Sequence, residues 1–112
     1  MRVELFRVEH KREGNKSITI SETIREKKAD EKEKEIWDFL LENCDDLFYY
    51  YDTGYIVGLE ALLNGVKEAI EEYNDDEDMK DYVERCDKAK QQIMELLKGI
   101  EGDMKGLNLI IE

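Results

Sequence analysis

The chain opens on a two-residue alternation. In "RVELFRVE", residues 2 to 9, Val3, Leu5 and Arg7 fall on one side and Phe6 and Val8 on the other, and "SITI", residues 17 to 20, is a second β-rich run. Gly14 and Asn15 between them carry turn chemistry, so residues 2 to 20 predict a β-hairpin. Thr23 followed by Glu26 has capping-box spacing and predicts a helix starting near Ile24. The opening of that helix, "IREKKADEKEKE", offers only Ile24 and Ala29 as apolar residues.

From Trp37 the period changes. Trp37, Leu40, Leu41, Cys44, Leu47, Phe48 and Tyr51 recur at three- and four-residue intervals, extending the first helix over 24–51. A second stripe, Tyr55, Leu59, Leu62, Val66, Ile70 and Tyr73, predicts a central helix over 55–73. A parallel strip of Gly54, Gly58, Ala61, Gly65 and Ala69 marks where a neighbouring backbone comes close. The two stripes stay in phase across "DTG", but one helix from 31 to 73 would be about 64 Å long, too long for a domain of this size. A break at Asp52–Gly54 is therefore expected. A third helix over 77–99 carries Met79, Tyr82, Val83, Cys86, Ile93, Leu96 and Leu97, and "LNLII", 107–111, reads as a closing strand that joins the hairpin. The expected fold is a single α+β domain of order ββαααβ, three helices around a small-residue seam with a small antiparallel sheet at one end.

Composition narrows the class. Charged and hydrophobic residues each make up 41% of the 112 residues, too apolar for a disordered chain and too polar for a membrane protein. No apolar run has the length of a signal peptide core or a membrane span, which leads to an intracellular, cytoplasmic expectation. Cys44 and Cys86, far apart in sequence and both on helical stripes, read as buried free thiols.

Candidate chemistry is sparse. His10 is the single histidine, in a strand, and Ser17 and Ser21 are the only serines, so no nucleophile, base and orienting acid can be assembled. "DDEDMKD" lacks the spacing of a calcium loop and reads as a helix cap, and no phosphate-binding glycine loop is present. No catalytic residue, metal site or cofactor is expected.

Charge is the stronger signal. Residues 1–36 carry a net +1 and residues 37–112 a net −13, and no Lys or Arg occurs from Trp37 through Val66. Asp38, Glu42, Asp45 and Asp52 recur at helical spacing as one acidic line, and Tyr49 and Tyr50 project to either side of the core stripe beside it. Such a chain repels nucleic acid and suits a basic protein partner. The expected partner surface comprises Asp38, Glu42, Asp45, Asp46, Tyr49, Tyr50 and Asp52, with Asp75, Asp76 and Asp78 of the next acidic turn. In size and charge, with no shared motif, the chain resembles the small acidic proteins of phages and mobile elements, among them DNA mimics and anti-restriction and anti-CRISPR inhibitors. That likeness implies a non-enzymatic inhibitor or adaptor occupying a basic groove of a nucleic-acid-binding protein. The alternative is a self-associating helical protein with an aromatic homodimer interface.

Overall fold

A computed structural model describes residues Met1–Glu112. The chain forms β1 (Arg2–Glu13), β2 (Lys16–Lys28), α1 (Glu31–Asn43), a 3-10 turn at Asp45–Leu47, β3 (Tyr49–Tyr51), β4 (Gly54–Gly58), α2 (Leu59–Tyr73), a second 3-10 turn at Glu77–Met79, α3 (Lys80–Leu97) and β5 (Leu107–Ile111). The strands make one antiparallel sheet in the order β2-β1-β5-β4-β3. The fold is α+β with three helices, an amino-terminal hairpin and a carboxy-terminal strand, as expected. The sheet has five strands, two more than expected.

The extra strands and the shifted β2 and α1 bounds come from polar or aromatic segments read with the wrong period. The hairpin does not end at Ile20; β2 runs on to Lys28, and Thr23 sits inside it, donating to Glu4 rather than capping a helix. A highly charged run cannot bury a helical face, but it can pair along the edge of a sheet, where only one side needs a neighbour. The helix begins at Glu31 under a capping box seven residues later. Asp30 Oδ1 accepts from the Glu33 N–H at 2.8 Å, and Glu33 Oε1 accepts from the Asp30 N–H at 3.2 Å. It ends at Asn43 instead of Tyr51. Tyr49–Tyr51 and Gly54–Gly58 are strands on either side of a two-residue turn, so the central helix starts at Leu59 and not at Tyr55. The third starts three residues after its expected position, behind the second 3-10 turn, and stops at Leu97.

The core lies between the helices and one face of the sheet. Val3 and Leu5 of β1, Val57 of β4 and Leu107, Leu109 and Ile111 of β5 point to the helices and are buried, as strand alternation requires. Trp37 and Leu40 of α1, Leu62, Leu63 and Val66 of α2, and Cys86, Ala89, Ile93 and Leu96 of α3 meet them. The small-residue seam is only partly realised. Gly54 lies in β4, where a Cβ would strike the Ile111 carbonyl oxygen, and a Cβ on Gly65 would sit 3.3 Å from Leu47. Gly58 has open space around it and is the N-cap of α2.

The other face of the sheet carries no helix. Phe6 is buried there, while Val8, Ile56 and Ile110 are half-buried. Beyond Val8 the β1–β2 hairpin leaves the body as an arm in which every residue from Glu9 to Ile20 is exposed except Ile18. The arm gives the molecule its elongated envelope of 57 × 28 × 27 Å.

Candidate binding surface

The aromatic cluster around residue 50 is a β-hairpin because its residues are β-formers. Three tyrosines precede Asp52-Thr53, and Tyr55, Ile56 and Val57 follow, in a register that pairs Tyr49 with Ile56, Tyr50 with Tyr55 and Tyr51 with Gly54. Strand alternation then sends Tyr49 and Tyr50 to opposite faces of the sheet. Both are exposed, at 76% and 75%. Tyr50 lies on the helix side, its ring edge-on to Tyr55 at 5.5 Å, and Tyr55 in turn meets Phe48 at 6.4 Å. Tyr49 stands on the open face in the row of Ile56 and Ile110. The third tyrosine is tied down: the Tyr51 hydroxyl donates to Glu112 Oε1 at 2.9 Å. Partial desolvation and that carboxylate push the Tyr51 phenol above its ordinary value.

The acids divide among three places. Asp45 and Asp46 are exposed on the 3-10 turn leading into β3, and Asp52 is exposed in the turn leading out, so they bracket Tyr49 and Tyr50 within eight consecutive residues. Asp38 and Glu42 are on α1, with Asp38 accepting from Lys34 Nζ at 2.7 Å. Because α1 stops at Asn43, the acidic line expected along one helix from Asp38 to Asp52 does not form. Asp75, Asp76 and Asp78 occupy the turn between α2 and α3, where Asp76 Oδ1 accepts from the Asp78 N–H at 3.0 Å and caps the second 3-10 turn. Their local role is therefore in part the helix cap read from the sequence.

Charge is segregated in space as well as in sequence. The hairpin Arg2–Lys28 has eight Lys and Arg against five Asp and Glu, a net +3, which leaves −15 on the rest of the molecule. Lys11, Arg12 and Lys16 stand at the exposed end of the arm.

His10 is exposed on the arm, its Nδ1 3.2 Å from Thr19 Oγ1. Cys86 is buried and Cys44 half-buried, both free, and burial raises both thiols above their ordinary values. No group of three or more His, Cys, Asp or Glu side chains is arranged to hold a metal ion, and no helix is long and apolar enough to cross a membrane. Sequence reading missed Tyr55 as a member of the exposed aromatic cluster by assigning it to a helical stripe, whereas Phe48 is half-buried against the core, as expected. The signal for Tyr55 was the aromatic and β-branched content on both sides of Asp52-Thr53.

Comparison of the chain with protein families, with characterised proteins and with solved structures finds no match in any of the three.

Proposed function

We propose that the chain is a non-enzymatic protein-binding inhibitor or adaptor, of the kind carried by phages and mobile elements, that occupies a basic groove of a nucleic-acid-binding protein. The observation that supports this reading is the exposure of Tyr49 and Tyr50, about three quarters each, between Asp45, Asp46 and Asp52 in a stretch of 30 residues with no Lys or Arg. Exposed phenol rings give contact area and a polar tip at low entropy cost. The surrounding anions attract a basic surface and speed encounter with it. The other acids, Asp38, Glu42, Asp75, Asp76 and Asp78, extend the negative field around that centre. Self-association through the hairpin has less to support it, because it would set Asp45, Asp46 and Asp52 against their own equivalents.

Competition tests the reading. Immobilised chain should retain a nucleic-acid-binding protein from extract, duplex nucleic acid should displace it, and rising salt should weaken it. A variant with Asp45, Asp46, Tyr49 and Tyr50 all changed to Ala should lose that protein. Equal retention by the variant, or indifference to duplex and salt, would remove the reading.

A further inference from the structure

The sheet is open at both ends, and its two edges differ. The outer edge of β2 is long but carries Lys16, Arg25, Lys27 and Lys28, and it is interrupted by a bulge at Ile24, between the Leu5–Arg25 and Phe6–Thr23 pairs. The opposite edge is β3. There Tyr51 and Gly54 close a two-residue turn and Tyr49 lies opposite Ile56. Antiparallel pairs alternate between bonded and unbonded, and the pairs on either side of Tyr50–Tyr55 are the bonded ones. The N–H and C=O of Tyr50 therefore point away from β4, into solvent.

We propose that this free edge takes up an extended, lysine- or arginine-rich strand of the partner, adding a sixth strand to the sheet. The proposal rests on the binding surface proposed above and specifies how it engages. Unpaired backbone groups on an edge are a template for strand addition, with main-chain bonds setting register and alternate side chains reading the two faces. Here each face has its own exposed ring, Tyr49 on one and Tyr50 on the other, so successive side chains of the added strand meet an aromatic surface on both sides. The charge selects the strand: Asp45 and Asp46 lie before the edge and Asp52 after it, with no cation between Trp37 and Val66. Basic side chains fit there, and the β3 edge of a second copy does not. The edge is only three residues long, so ring contacts and charge carry most of the affinity and the backbone bonds of Tyr50 fix the geometry.

The test uses 15N-labelled protein and a ten-residue peptide of alternating lysine and valine at low salt. In the free protein the Tyr50 amide should exchange with solvent as an unprotected group, and saturation with peptide should slow it about tenfold or more, the equivalent of one hydrogen bond gained. Tyr50→Ala should weaken peptide binding. Tyr50→Pro, which also removes the outward N–H at a position where an edge strand tolerates proline, should weaken it about tenfold further. If the peptide binds and Asp45→Asn, Asp46→Asn and Asp52→Asn weaken it, but the Tyr50 amide stays unprotected, strand addition is refuted and the acidic aromatic surface stands. Failure of the peptide to bind, while the duplex-competed capture persists, has the same meaning. Loss of both removes the surface as well. A Tyr50 amide already protected in the free protein, with dimers in light scattering, would give the edge to a second copy and overturn the proposal.

Discussion

The guanidinium of Arg25 donates to the Leu96 carbonyl at 2.7 Å, fastening β2 to the end of α3. The same group reaches the carbonyls of Glu95 at 3.2 Å and Lys98 at 2.9 Å. Helix α3 has no basic residue in its own last turn, so the cation that satisfies its terminal carbonyls and opposes its dipole comes from the sheet. Arg25→Met keeps most of the stem and removes the fork, and should cost about 1.5–3 kcal/mol in urea denaturation, the range for hydrogen bonds from a charged group. Arg25→Lys should recover less than half of that, because one ammonium cannot span three carbonyls.

Gly54 and Gly58 bound the same strand and should respond in opposite directions. A Cβ at Gly54 meets the Ile111 backbone of the neighbouring strand, which cannot withdraw without parting β4 from β5. Gly54→Ala should cost about 1–3 kcal/mol, the range for overpacking. Gly58 is the N-cap of α2, with extended backbone, open space and no side-chain cap. Gly58→Ser supplies an acceptor for the first free N–H groups and should gain about 0.3 kcal/mol, the small margin by which Ser exceeds Gly as an N-cap. Thermal midpoints of the two variants measure both.

How far the fold was legible follows from the same residues. Helix α3, the core stripe of α2 and strand β5 announce themselves, because Leu62, Val66, Cys86, Ile93, Leu96 and Leu109 are buried where their period places them. The segment from Ser21 to Lys28 does not, since an edge strand needs no apolar face and its composition matches that of a solvated helix. Tyr49 to Tyr55 misleads for a different reason. Trp37 through Leu47 sets a helical phase, and Phe48, Tyr51 and Tyr55 continue it by coincidence across a turn whose two residues, Asp52 and Thr53, have no positive φ to advertise a hairpin. The exposure of Tyr49 and Tyr50 was legible all the same, because no single core face can hold consecutive rings in either a helix or an edge strand.

Asp30 links the α1 cap to pH. Its carboxylate is held below the ordinary carboxylate range chiefly by the Glu33 backbone N–H. A folded-state pKa lower than the unfolded one means the stabilisation is complete above the unfolded carboxylate range and is lost as pH falls through the depressed value. Asp30→Asn retains an oxygen acceptor but has no charge to lose. Its denaturation midpoint should therefore fall less steeply on acidification than that of the parent chain, with the difference confined to pH below about 4. Parallel curves across that range would show that the cap does not carry this dependence.

The projecting arm should be separable from the fold. Core burial ends near Val8, and beyond it the two strands of the hairpin contact chiefly each other. Glu13 and Lys16 close the present turn as a bonded pair, so by alternation Glu9 and Ile20, four pairs back, are bonded as well. Replacing His10–Thr19 with Asn-Gly thus moves the turn to a pair of the same kind and preserves the register below it. Stability should change by no more than about 0.5 kcal/mol in urea denaturation, as for substitutions away from the core. Small-angle scattering should show the 57 Å long axis shortened by ~13 Å, the length of the four pairs removed. The same variant leaves Asp45, Asp46, Tyr49, Tyr50 and Asp52 untouched, so it should still bind a basic partner, and more tightly at low salt, because removing Lys11, Arg12 and Lys16 takes away the positive end of the molecule that opposes such a partner. Loss of binding on shortening would place the contact on the arm instead of on the β3–β4 hairpin.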